Sequence, residues 1–270
     1  MSTRKSAITA RSEPITLRPL MHIGVSFKMY LDRQRTRQWC AAVAGIAKRH
    51  PAVRSGGVEL VIFPSLPAME SSMVACADGP VVFGAQDLFW ADRGAYTGAV
   101  SGADLADMGC CYVEIGHAER RGLFGETNAI VAKKVAAAAR NGLIPWICIG
   151  EPESGPADAA ATYCIEQLNA SLAELGRATP IVVAYEPRWA IGQPAAASSA
   201  HVNTVACGIK ASLGDRPGMA GTPLVYGGSA APGTLTALGK AVDGLFLGRF
   251  AHDIAAFERV LDEAAELMSA

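Results

Sequence analysis

The sequence has no excess of charge of either sign. Its formal net charge is −1, and only 18% of its residues are charged. A chain of that balance gives no electrostatic case for nucleic acid or for an anionic membrane surface as a partner. No apolar stretch reaches the length needed to span a bilayer. The first twenty residues lack the apolar core of a signal peptide. They carry Arg4, Lys5, Arg11 and Arg18 without periodicity, so residues 1–20 read as a loose tail ahead of a domain over 21–270. The seven cysteines, at positions 40, 76, 110, 111, 148, 164 and 207, are too scattered for a disulfide framework or a zinc motif. Several sit in apolar runs, where a thiol serves as a small hydrophobe. That usage predicts a reducing compartment, the cytoplasm.

Hydrophobic residues make up 50% of the 270, enough for a large core, and no linker or composition shift divides the chain. Short apolar runs recur at 22–27, 58–63, 81–84, 111–115, 144–149, 181–184, 224–226 and 244–247. Between them lie Ala-rich stretches with helical spacing, such as 35–49, 128–140, 157–175, 200–213 and 254–268. Strand and helix thus alternate eight times, the pattern of a parallel sheet with crossover helices. Eight units in a chain not far from about 250 residues predict a single closed (β/α)8 barrel of the α/β class. An open doubly wound sheet would need a Gly-rich dinucleotide turn after the first run. Lys28-Met29-Tyr30 stands there instead.

The residues after each run are the informative ones. They are Ser26-Phe27-Lys28, Gln86-Asp87, Gly116-His117-Ala118-Glu119, Gly150-Glu151, Glu186, Gly227-Gly228-Ser229 and Gly248-Arg249. In a parallel barrel all these ends share the face where barrel enzymes place their chemistry. Glu186 stands out. It follows a short β-branched run that reads as buried on both faces, so desolvation should raise its pKa. Each residue alone has a plainer reading: His117 as a helix cap, Lys28 as a snorkelling lysine, Gly227-Gly228 as a turn. Their convergence on one face is what points to a site.

The strings FKM, GAQD, GAYTG, IGHAERR, FGET, ICIGE, AYEPRWAIG, YGGS and DGLFLG occur here in the order found in triosephosphate isomerases. Over about residues 22–250 the chain resembles that family, which implies a TIM barrel. The family is itself the standard worked case of active-site pKa tuning, so the roles that follow are carried over from it. The resemblance implies proton transfer between adjacent carbons through a cis-enediolate. Glu186 is then the base, and His117 is a neutral imidazole donating to the enediolate oxygens. Lys28 is a fixed positive charge in a dry site, and Glu119 is the carboxylate near that lysine. Backbone N–H groups at Gly228, Ser229 and Gly248 would hold the phosphate, because no Cβ intervenes at the glycines. Gly192 resembles the contact made by the family's mobile lid, with Pro187-Arg188-Trp189 as the lid's first hinge. No metal and no organic cofactor are implied. The loop at 94–98 resembles the segment that plugs into a partner subunit, which implies a homodimer with Thr97 near the other subunit's site.

The chain also departs from the family pattern. Ser26 replaces the usual Asn, Ala118 the usual Ser, Ala99 a frequent Glu, and Arg249 the second Gly after the last strand. Ser26 and Arg249, with FWADRGAYTG and WAIGQPAAAS, resemble the branch that isomerises tetrulose phosphates in erythritol catabolism. The substrate implied is L-erythrulose 1-phosphate, converted to D-erythrulose 4-phosphate, with Ser26 and Arg249 among the substrate-binding residues. Ser26 and Ala118, being small, are expected to open room near Lys28 and His117. The alternative is the glycolytic reaction, dihydroxyacetone phosphate to glyceraldehyde 3-phosphate.

Overall fold

A computed structural model describes residues 21–176, 179–193 and 196–269. The expected tail at 1–20 lies outside the described residues. Eight strands form: β1 Met21–Ser26, β2 Val58–Phe63, β3 Val81–Ala85, β4 Tyr112–Ile115, β5 Ile144–Ile149, β6 Val182–Tyr185, β7 Leu224–Tyr226 and β8 Gly244–Leu247. All neighbours are parallel, and the sheet closes in sequence order, β8 pairing back onto β1 through Val25↔Leu247. This is the expected (β/α)8 barrel. The strand bounds agree with the apolar runs to within about a residue, since backbone pairing stops where a loop turns away rather than where hydropathy changes.

Closure divides the core into two shells. Val61, Phe63, Tyr112, Trp146, Cys148, Val182, Ala184, Val225 and Phe246 fill the barrel interior. Trp146 is its hub, with Phe63, Phe246 and Tyr112 rings at 5.3, 5.2 and 5.7 Å. Gly24 on β1 is small because Trp146 and Phe246 occupy the space: a Cβ there would lie 2.8 Å from each. The outer shell packs helices such as Arg33–Arg49, Asn128–Arg140 and Ile254–Ser269 over the strands. Side-chain caps start several of these helices. Asp32 accepts from the Arg35 N–H, Thr127 from Ile130 and Ser198 from His201.

The predicted helix at 157–175 stops at Ser171. Short helices at Met69–Ala75, Gly102–Asp107, Ala118–Leu123 and Thr234–Leu238 fill the remaining crossovers. They are too short to show helical periodicity in sequence. No helix among the described residues is long and apolar enough to cross a membrane. All seven cysteines are free thiols.

Candidate active site

At the C-terminal mouth of the barrel lies a cavity of about 680 Å³. Its lining includes Ser26, Lys28, His117, Glu119, Glu186, Gly192, Ser229, Gly248 and Arg249. Nine of the sequence-predicted site residues therefore share one cavity. Gly228 is not among the lining residues; it packs under the Tyr226 hydroxyl, 2.5 Å from where a Cβ would sit. Thr97 is exposed on the 94–98 loop, away from this cavity.

Glu186 follows β6 directly and is only 5% exposed. Its Oε2 is buried with no hydrogen-bond partner and lies 3.4 Å from His117 Nε2. Burial raises its pKa, the Lys28 charge draws it back, and the balance is pushed up to about 7. A carboxylate with that pKa is a competent base near neutrality. Gly227 makes room for it, because a Cβ there would fall 2.4 Å from Glu186 Oε1.

His117 is both a cap and a site residue. It precedes the helix Ala118–Leu123, and its Nδ1 accepts the Glu119 N–H at 3.1 Å. An Nδ1 that accepts leaves the proton on Nε2, the nitrogen that faces Glu186. Burial and the Lys28 charge lower its pKa to about 4, so the ring is neutral at physiological pH.

Lys28 adopts φ +47°, a left-handed backbone uncommon for a non-glycine residue. Its Nζ donates to Glu119 Oε1 at 2.8 Å. Burial works against its charge, but the Glu119 hydrogen bond and the field of Glu186, Glu119 and Glu114 outweigh that. Its pKa rises above the ordinary lysine value.

The opposite rim is built from loops. The backbone N–H groups of Gly192, Ser229 and Gly248 donate to no backbone carbonyl among the described residues. The Ser229 hydroxyl donates to Ala190 O at 2.7 Å, tying the loop after β7 to the segment after Glu186. That segment is anchored by Trp189 Nε1, which donates to Glu151 at 2.8 Å. Arg249 is exposed, 3.4 Å from Gly192 O and 5.7 Å from the Tyr30 ring centre.

One expectation about space needs correction. Ala118 faces a smaller recess with Gly116, Arg121 and Cys148, not the main cavity. Ser26 lines both the main cavity and a second lobe beside it, and its hydroxyl donates to Glu114 Oε2 at 2.9 Å. Sequence reading passed over Glu114, which is 3% exposed in the middle of β4. The available signal was a carboxylate inside a run expected to be buried.

A family model described as triosephosphate isomerase matches residues 21–264. The chain belongs to the triosephosphate isomerase family. It is 48% identical over 250 residues to an L-erythrulose-1-phosphate isomerase of Pectobacterium atrosepticum, covering 92% of this chain and 96% of that one. It is 39% identical over 222 residues to a triosephosphate isomerase of Moorella thermoacetica, covering 78% and 88%. A crystal structure of triosephosphate isomerase from Bartonella henselae superposes with a TM-score of 0.77 at 29% identity, over 90% of this chain and 98% of that one. Membership of the triosephosphate isomerase family makes the protein a phosphosugar isomerase.

Proposed function

We propose that the barrel domain, residues 21–270, converts L-erythrulose 1-phosphate to D-erythrulose 4-phosphate. The observation that carries this reading is a full set of acid/base groups on an altered floor. Glu186, His117 and Lys28 meet in one cavity, while Ser26, which departs from the family pattern, pairs beside them with the buried Glu114. The 48% identity to a relative named for this reaction supports it. The product is again a ketose, because the carbonyl moves from C2 to C3 of a four-carbon chain.

Glu186 Oε2 takes the proton from C3. The His117 Nε2–H and the Lys28 ammonium stabilise the enediolate oxygens; His117 gives its proton to O2 and takes the hydroxyl proton of O3, and Glu186 returns its proton to C2, leaving a hydroxyl on C2 and the carbonyl at C3. Both carbons of a planar enediolate lie within reach of one carboxylate. Glu119 holds Lys28 in place. The N–H groups of Gly192, Ser229 and Gly248, with Gly228 supporting the loop and Arg249 at its edge, receive the phosphate. Closure of the segment after Glu186 keeps water from an intermediate that could otherwise shed its phosphate.

A homodimer with Thr97 reaching the partner's site is part of this reading. Met29, 93% exposed, and exposed Tyr30, Tyr96, Leu123 and Phe124 support it, since apolar surface of that extent fits an interface. Seven free thiols fit the cytoplasm.

The test is kcat/KM for L-erythrulose 1-phosphate and dihydroxyacetone phosphate on one preparation. The tetrulose is expected to be favoured by about 10–200-fold, the range available to contacts with one extra carbon. A triose rate near the diffusional ceiling of about 10⁸–10⁹ M⁻¹s⁻¹, with feeble tetrulose turnover, would overturn the substrate and leave the glycolytic reaction.

A further inference from the structure

Glu114 is a buried carboxyl beside the aromatic plug of the barrel interior. Side chains alternate along a strand, so Glu114 shares the inward face of β4 with Tyr112, which packs edge-on against Trp146. A buried carboxyl is costly unless something uses it, and among the described residues Glu114 has one hydrogen-bond partner, the Ser26 hydroxyl.

Its position along the site is specific. The main cavity is lined by the loops of Gly192, Ser229, Gly248 and Arg249, none of which reaches the second lobe, and by Ser26, Lys28, His117 and Glu119. The second lobe shares Ser26, Lys28, His117 and Glu119 with it and adds Glu114 and Gln86. Glu114 therefore lies on the side remote from the loops assigned to the phosphate. A tetrulose phosphate differs from a triose phosphate only at the carbon remote from its phosphate, which carries a hydroxymethyl group in place of hydrogen.

We propose that Glu114, braced by Ser26, is a specificity-determining residue that hydrogen-bonds the terminal hydroxyl of a tetrulose phosphate. This rests on the tetrulose reading above. The chemistry fits a hydroxyl. Burial, then the negative field of Glu186, push the Glu114 pKa up to about 8 against the Ser26 hydrogen bond and the Lys28 charge. At neutral pH it is mostly a neutral acid, with one O–H to donate and lone pairs to accept. It can pair with a hydroxyl without setting a second full negative charge beside Glu186. An apolar floor would give only the modest gain of one extra carbon. A floor that hydrogen-bonds a hydroxyl penalises a substrate lacking it far more, because the buried group is then left unpaired.

The experiment compares three substrates: L-erythrulose 1-phosphate, its analogue with the terminal hydroxyl replaced by hydrogen, and dihydroxyacetone phosphate. Each is tested with wild type, Glu114→Gln and Glu114→Leu. Wild type is expected to prefer the tetrulose and to lose roughly 100-fold or more in kcat/KM on the deoxy analogue. The tetrulose-to-triose ratio should fall about tenfold in Glu114→Gln and about 100-fold in Glu114→Leu, and the deoxy penalty should shrink in parallel. The analogue measured on wild type needs no variant to fold, and Gln preserves the shape of Glu. Wild type that prefers the tetrulose but turns over the deoxy analogue within about threefold overturns this inference alone. A deoxy penalty and ratio unchanged in both variants also overturns it alone, since the hydroxyl is then read elsewhere. Wild type that prefers the triose overturns the tetrulose reading, and this inference with it.

Discussion

Glu186 and His117 face each other across 3.4 Å with the ordinary order of their pKa values inverted. The carboxylate is pushed up to about 7 and the imidazole down to about 4, in both cases chiefly by burial. Lys28 sits on the same balance, lowering both. Since Glu186 must be ionised to accept a proton, kcat/KM should rise with pH through about 7 and then level off. Lys28→Met removes the charge that holds Glu186 down, so its pKa rises and the acid limb moves to higher pH in the residual activity. The substrate phosphate also titrates, but identically for both proteins, so the displacement belongs to the enzyme. A pH–rate profile of Lys28→Met that overlays the wild-type limb would separate Lys28 from Glu186. Glu186, His117, Lys28 and Glu119 were legible because each follows the end of an apolar run, where a polar residue is conspicuous. Glu114 was not, because it lies within a run and its partner Ser26 is 88 residues away.

Among the elements, the turn from β4 into the helix Ala118–Leu123 carries two functions in one residue. His117 caps the helix through Nδ1 and presents Nε2 to the cavity. His117→Ala should therefore lose both, in unequal measure. Loss of a cap costs about 0.5–2 kcal/mol in stability, and loss of one preorganised donor costs about 10²–10³ in rate. Denaturation and kinetics on one preparation separate them: a folded variant with wild-type turnover would leave His117 as a cap only. The eight strands could be read from sequence because buried parallel strands are short, continuous and apolar. The short helices could not, because helices of five to seven residues, such as Thr234–Leu238 and Met69–Ala75, are set by crossover length and packing. The buried cluster of Lys134 with Asp87 and Glu126 was likewise unreadable. It joins the end of β3 to the helix Asn128–Arg140 across 47 residues.

At the scale of the whole molecule, the barrel interior is plugged by Trp146, Phe63 and Phe246 below the site, which closes the mouth off from the opposite end of the barrel. The exposed Met29, Leu123 and Phe124 sit on the mouth's Lys28 side, where they line the lobe floored by Glu114. Sedimentation at micromolar concentration is expected to give a dimer, and an active monomer there would count against Thr97 acting on a partner's site. Ala99, in place of the family's frequent Glu, predicts an interface weaker than one braced by an ion pair. The most direct test of the account follows the proton itself. Proton NMR of L-erythrulose 1-phosphate with enzyme in heavy water should show D-erythrulose 4-phosphate forming with deuterium at the carbon that received the proton. The rate should exceed that on dihydroxyacetone phosphate, and Glu186→Gln should abolish it. Rapid deuterium exchange into the triose with none into the tetrulose, or exchange that survives Glu186→Gln, would contradict it.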